Sequence, residues 1–382
     1  MKTLNNAQLV LRILKKNGYE AYIVGGAVRD QLLKRNISDI DITTNAKPYQ
    51  VSKLFDAKPT GIKYGTVTVF FRKESFEITT YRIDGPYQDS RHPDQVTFAQ
   101  TVIEDVKRRD FTINGLLMDE ELKVYDYVDG KSDIQSKFIR AIGDPYLRFS
   151  EDAIRMLRAI YFQSKLGFQI TKETREAIYD LRDKLQSVAM ERVLLELVKI
   201  LKEKHLKLAL KTMITTEVHK MLPGLEKGIE YIATLDEMPF VDVFFTICFT
   251  LNKGIVPSKW PFSNKQKHRY LTAAKLANKK TEFNGLDLYE YGIDLCLLAS
   301  RVNYMLKRER LMQNELMETY KNLPIQSELD LKLKPYDMME ITNKKAGAWL
   351  KEMQNQMVLA ILNKEIENNQ EALREYLIKH VK

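Results

Sequence analysis

The chain has 382 residues, 44% of them hydrophobic and 29% charged, with a formal net charge of +9. This is more than one ordinary domain and implies about two to four, in a chain with the composition of a soluble globular protein and a basic balance that suits a polyanionic partner. Only two cysteines are present, Cys248 and Cys296, both inside apolar runs, which excludes a disulfide framework and points to a reducing compartment. The longest apolar stretch, Val243 to Leu251, is too short to cross a bilayer, so a cytoplasmic location is expected.

The N-terminal run is broken by charges and reads as an amphipathic helix over Ala7 to Asn17, ending at Gly18, not as a signal peptide. A short apolar strand, Tyr22 to Val24, runs into Gly25-Gly26, which opens a helix carrying Arg29 and Asp30. A second strand carries Asp39 and Asp41 on one face and Ile40 and Ile42 on the other. At ~3.3 Å per residue the two carboxylates lie roughly 7 Å apart, repelling by about 2 kcal/mol; a cation would remove that cost. A helix near Pro48 to Phe55 follows, then two strands rich in β-branched and aromatic residues, Gly65 to Phe71 and Phe76 to Tyr81. Glu77, on the second of these, joins Asp39 and Asp41 if the strands are adjacent, and three carboxylates converging on one sheet face point to a metal.

The Pro- and Gly-containing residues 83 to 95 form a long loop in which Arg91 and His92 could touch phosphates. Lys107 to Met118 supplies apolar positions at Phe111, Leu116 and Leu117 and polar candidates at Arg108, Arg109, Asp110 and Asn114. Paired arginines fork to phosphate oxygens, and an aspartate beside them suits a sugar hydroxyl. Asp144-Pro145 reads as an N-cap followed by proline at the first helical position, and the remainder is almost entirely helical. The first of these helices is expected to align Asp152, Arg155 and Arg158 along one stripe. A carboxylate accepts from an exocyclic amine and a guanidinium donates to a ring acceptor, so Asp152 with Arg155 can read cytosine and adenine and reject uracil and guanine. Glu191 and Glu196, on the helix over Met190 to Leu201, are expected to stabilise the arginine-bearing helix. Lys-rich stretches interleaved with aromatics, such as Ser258 to Tyr270 and Asp330 to Glu352, suit a nucleic-acid backbone.

In order, GGAVRD (Gly25 to Asp30), DID (Asp39 to Asp41), the loop Asp84 to Val96, RRDFTING (Arg108 to Gly115), EDAIRMLR (Glu151 to Arg158) and ERVLLEL resemble the bacterial class II tRNA nucleotidyltransferases, the CCA-adding enzymes, within the DNA polymerase β-like nucleotidyltransferase superfamily. The motifs cover roughly the first 200 residues, with DLKLKPYDMME matching the tail of the same branch. The resemblance implies an α+β chain: a nucleotidyltransferase palm-like head with a mixed sheet (1–140), then an all-helical neck that selects the base (141–205), body (206–300) and tRNA-binding tail (301–382). It implies Mg²⁺ on Asp39 and Asp41 with Glu77 as third carboxylate, phosphate contacts at Gly25, Gly26, Arg29 and Arg109, a ribose contact at Asp110, and a protein template at Asp152 and Arg155 with Arg158 next along the stripe. The partners implied are CTP, ATP and the acceptor arm and 3′ end of tRNA, with no membrane and no obligate protein partner. Two positions depart from the family pattern. Tyr161 stands where a further arginine is common, leaving a cationic contact missing or replaced by stacking, and Gly115 stands for an alanine, which should loosen a helix slightly. The activity expected is template-independent addition of C, C and A. The alternatives are CC-adding, A-adding or poly(A)-polymerase relatives, or a catalytically silent tRNA-binding protein; the loop at residues 84 to 95 argues against CC-only addition.

Overall fold

A computed structural model of the chain describes residues 4–37, 39–84, 96–279 and 282–381. It forms two compact units, Met1–Met238 with Lys259–Pro261, and Pro239–Ser258 with Phe262–Lys382. In the first unit, helix α1 (Leu4–Lys16) buries Ala7, Val10, Leu11 and Leu14, the i, i+3, i+4, i+7 face of an amphipathic helix. Strand β1 (Ala21–Val24), helix α2 (Gly26–Leu32), strand β2 (Asp41–Thr44), helix α3 (Pro48–Leu54) and strands β3 (Asp56–Gly61), β4 (Thr66–Phe71) and β5 (Glu74–Thr80) follow. After a small antiparallel pair, β6 (Arg82–Asp84) with β7 (Val96–Phe98), come α4 (Val102–Lys107), β8 (Leu117–Met118) and β9 (Val124–Tyr125).

The main sheet has the order β3-β4-β5-β2-β1-β8-β9. It is mixed: β2 and β5 run parallel, and the other pairings are antiparallel. That parallel pair sets Asp41 opposite Glu77 and Ile42 opposite Ile78. Ile40, Ile42, Phe76 and Ile78 are buried, while Asp39, Asp41 and Glu77 are exposed, so the period-2 alternation puts the acids on the side away from the core. The expected adjacency of Glu77 holds. Asp39 lies just ahead of β2 instead of within it. The edge strand β3 was not anticipated: its sequence, DAKPTG, is mostly exposed and contains a proline, tolerated at an edge where no N–H is required. Of the expected loop 83–95, Ile83 and Asp84 belong to β6, and the rest, with Arg91 and His92, lies outside the described residues.

The unit continues with α5 (Gly130–Ser136) and β10 (Phe138–Ile139), then α6 (Pro145–Glu151), α7 (Ile154–Leu166), β11 (Gln169–Ile170), α8 (Lys172–Leu181), α9 (Met190–Leu201), α10 (Leu206–Thr215) and α11 (Glu226–Ile232). Apart from the short parallel pair β10 with β11, this stretch is helical. Asp144 caps α6 by accepting from the Tyr146 N–H, with Pro145 in the first turn. The second unit is built of helices α12 (Val241–Leu251), α13 (Asn264–Ala277), α14 (Gly285–Tyr291), α15 (Ile293–Met305), α16 (Gln313–Lys321), α17 (Pro335–Thr342), α18 (Ala348–Leu362) and α19 (Gln370–His380). Phe244, Phe245, Phe249, Phe262 and Tyr270 pack there edge-to-face and stacked, and Met338, Met357, Leu373 and Leu377 centre a further core. Cys248 and Cys296 are free and buried, as expected. Among the described residues no helix is long and apolar enough to cross a membrane.

Candidate active site

The turn from β1 into α2 forms one wall of a cavity of about 590 Å³ within the first unit. Gly25 takes φ +75° there, a conformation costly for any residue with a Cβ, and its N–H donates to the Leu116 carbonyl. One turn on, Arg29 is 2% exposed. Its Nε donates to Asp30 Oδ1 at 2.9 Å and its Nη1 to Asn114 Oδ1 at 2.6 Å. The guanidiniums of Arg29 and Arg158 lie 5.2 and 5.5 Å from the ring centre of Phe162, within cation–π range. Asp41 lines the same cavity from the neighbouring strand.

A second wall descends from α4. Asp105 is fully buried and holds both following arginines, accepting from Arg108 Nε at 2.8 Å and Arg109 Nη2 at 2.9 Å; Thr43 Oγ1 donates to it from the sheet. Burial alone would raise the Asp105 carboxyl, but the two guanidiniums and their hydrogen bonds pull it down to about 2. The pair Arg108 and Arg109 stands at the C-terminal end of α4, and its anchor was absent from the expected site. Burial likewise acts to raise the carboxyl of Asp110, and Arg158, donating from Nε at 2.9 Å and Nη2 at 2.6 Å, brings it below the ordinary range. The other Asp110 oxygen accepts from the Phe111 N–H at 2.8 Å and Asn114 Nδ2 at 3.3 Å. Asn114 ends a single 3₁₀ turn, Thr112–Asn114, and Gly115 closes it. The expected loosening of a helix by Gly115 does not apply: the 3₁₀ turn does not continue as an α-helix, and a Cβ would lie 2.7 Å from Val128 Cγ2 and 3.0 Å from Ile142 Cδ1.

The third wall is α7 with α9. The expected continuous helix breaks at Asp152, which has extended backbone (φ −145°, ψ 102°), so Asp152 does not share a regular helical stripe with Arg155 and Arg158. It caps the next helix instead: its Oδ1 accepts from the Ile154 N–H and its carbonyl from the Arg155 N–H. All three residues still line the cavity. Arg155 is 8% exposed and donates to Glu151 Oε2 at 2.6 Å and to the Arg148 and Arg108 carbonyls. Both Asp152 oxygens accept from Arg192 of α9, at 3.2 and 2.7 Å. Arg192 was not anticipated; it lies within the ERVLLEL motif beside Glu191, which is exposed. Glu196 is buried on the cavity wall and accepts from Lys199, a further lining cation.

Of the expected site residues, Gly25, Gly26, Arg29, Asp41, Arg109, Asp110, Asn114, Asp152, Arg155 and Arg158 converge on this cavity. Asp39, Glu77 and Tyr161 do not line it. Tyr161 packs against Phe162 with the ammonium groups of Lys165 and Lys199 each 5.9 Å from its ring, and the aromatic side chain on the wall is Phe162. Seven basic side chains face four acidic ones across the cavity, an arrangement suited to a polyphosphate. Among the described residues, His219, Glu226 and Glu230 alone place three such ligand atoms all within 4.8 Å of one another. The group Asp39, Asp41 and Glu77 is more open, and its all-oxygen donors fit a hard divalent ion that keeps water and phosphate ligands.

Three family models match the chain: the poly(A) polymerase head domain over residues 21–140, the probable RNA- and SrmB-binding site of polymerase A over 167–229, and the putative tRNA nucleotidyltransferase domain 2 over 243–377. The CCA-adding enzyme of Bacillus subtilis (strain 168) is 36% identical over 396 residues, covering 98% of each chain, and that of Listeria monocytogenes serotype 4a (strain HCC23) is 35% identical over 394 residues, covering 97% of each. The crystal structure of the Bacillus stearothermophilus CCA-adding enzyme in complex with CTP superposes with a TM-score of 0.85 at 31% identity, over 99% of this chain and 98% of that one. The Thermotoga maritima enzyme complexed with tRNA, at 20% identity and a TM-score of 0.65 over 97% of this chain and 94% of that one, shares the fold.

Proposed function

The chain belongs to the family of CCA-adding enzymes, and from that membership we propose how its cavity carries out the reaction. It is a tRNA nucleotidyltransferase that adds C, C and A from CTP and ATP to the 3′ end of tRNA. The observation that carries the assignment of roles is one cavity that brings Asp41 together with the arginines of four separate segments and with Asp152.

The oxygen of the tRNA 3′-hydroxyl attacks the α-phosphorus of the nucleotide, a phosphodiester bond forms, the bond to pyrophosphate breaks and the hydroxyl proton passes to solvent water. Asp39 and Asp41 would hold the divalent ion, Mg²⁺ in this proposal, with Glu77 opposite Asp41 in register; such an ion would weaken the hydroxyl's hold on its proton and offset the charge gathering on pyrophosphate. Arg29 and Arg109 bind the phosphates, with Gly25 and Gly26 allowing close approach of the backbone. Both guanidiniums are held in advance, by Asp30 and Asn114 and by Asp105, so little ordering remains for the bound state. Asp110 is the ribose contact. Its oxygens already accept four hydrogen bonds, and the ribose hydroxyl exchanges with the longest, from Asn114.

Asp152 and Arg155 read the pairing edge, the carboxylate accepting from the amine of C or A and the guanidinium donating to the neighbouring ring acceptor. Uracil and guanine present the reverse order and leave both groups facing like partners, a mismatch of a kind that buried polar sites reject strongly. Arg158, fixed by Asp110, links sugar and base positions. The division into head (1–140), neck (141–205), body (206–300) and tail (301–382), and a cytoplasmic location where tRNA is found, belong to the same proposal. Asp41→Asn tests the metal assignment: nucleotide addition should be lost while tRNA binding by gel shift is retained, and surviving turnover would remove Asp41 from the site.

A further inference from the structure

Away from the nucleotide cavity, a ring nitrogen of His219 and one carboxylate oxygen each of Glu226 and Glu230 lie within 4.8 Å of one another. They come from the 3₁₀ turn Val218–Met221 and from α11, where the glutamates, four residues apart, share a face. His219 is 2% exposed. Its Nδ1 lies 3.0 Å from the Met213 carbonyl oxygen and its Nε2 3.2 Å from Glu230 Oε1. A carbonyl can only accept, so the hydrogen sits on Nδ1, and in the neutral ring Nε2 turns its lone pair on a carboxylate. Two acceptors so placed face each other unless a proton or a metal ion stands between them. A proton on Nε2 would serve Glu230 through a single N–H and make no use of Glu226, whereas a metal ion uses all three. Lys220, next in sequence, bonds Glu217 at 2.7 Å and interacts with Glu226 through charge alone. A backbone carbonyl on the far N–H is also the usual support of a metal-ligating histidine, since it fixes the tautomer and ring orientation.

We propose that His219, Glu226 and Glu230 form a divalent cation site separate from the Asp39–Asp41 strand, best matched to Zn²⁺. One imidazole with two carboxylates suits that borderline ion, whereas Mg²⁺ favours oxygen ligands throughout. Both glutamates are exposed, which gives the ion an entry path. The bound ion staples the Val218–Met221 turn to α11 across residues 222–225, inside the unit but outside the reaction, so its effect is on stability.

The test uses the full, tag-free chain carrying Asp39→Asn and Asp41→Asn, stripped with chelator, so that the proposed catalytic carboxylates cannot supply the binding. Zn²⁺ is titrated by calorimetry and Co²⁺ by visible absorption, and thermal unfolding is followed with and without Zn²⁺. One ion per chain is expected, raising the unfolding midpoint, with affinity lower by about 10-fold or more in Glu226→Gln and in Glu230→Gln. Both substituted positions are exposed, so folding is not at stake. Absence of binding, or affinity and midpoint shift unchanged in the two variants, overturns the site.

Discussion

Replacing Arg192 by methionine separates base selection from the rest of the reaction. The Arg192–Asp152 pair is mostly buried, its side chains 22% and 13% exposed, with two hydrogen bonds at 3.2 and 2.7 Å. Methionine keeps an apolar stem of similar length and removes both donors. A hydrogen bond to a charged group contributes about 1.5–3 kcal/mol, and without it the Asp152 carboxylate, capped on the other side only by the Ile154 N–H, is free to turn. In the proposed template this carboxylate must stay fixed to accept from the amine of C or A, so kcat/KM for CTP and ATP should fall by about 10- to 100-fold. UTP and GTP should lose much less, narrowing discrimination. Single-turnover incorporation of each nucleotide onto a tRNA transcript lacking CCA gives the four values directly. Equal loss for all four nucleotides would place Arg192 in the fold or the phosphate site, and unchanged discrimination would refute its positioning of Asp152.

Asp105→Asn should destabilise the first unit by about 2 kcal/mol, because its carboxyl, near pH 4 when unfolded, is held at about 2 by Arg108 and Arg109. A depressed folded value means stability that is full above about pH 4 and lost as pH falls toward about 2; denaturant unfolding across that window should slope less steeply in the variant, and an identical slope would deny Asp105 the role. Gly115→Ala should destabilise by about 1–3 kcal/mol through overpacking against Val128 and Ile142, where helix propensity alone predicts a gain; chemical denaturation gives the sign.

What the sequence made legible is what rests on local pattern. The alternation over Asp39 to Ile42, the Gly25 turn, the Asp144-Pro145 cap and the strand bearing Glu77 each follow from periods of a few residues, and all are present. The alignment of Asp41 with Glu77 needed only that two strands be neighbours. The parts that escaped depend on tertiary context. Asp152 breaks the helix because its side chain and carbonyl cap the following turn, a choice that a run of good helix formers conceals. Arg192 meets Asp152 from 40 residues away. Asp105 was within reach of a local reading, since its partners stand three and four residues on, yet its burial beneath the sheet at Thr43 was not. Strand β3 lacks the apolar alternation that marks a strand because it is an edge with little to bury.

The central claim is tested most directly by incubating the purified chain with Mg²⁺ and tRNA transcripts that lack CCA, lack only the final A, or are complete, with CTP and ATP singly and together. The account predicts two C residues from CTP alone on the first transcript, one A on the second, CCA from the mixture, and no extension of the third. Long A tails, A alone on every transcript, arrest after CC, or no incorporation at all would contradict it.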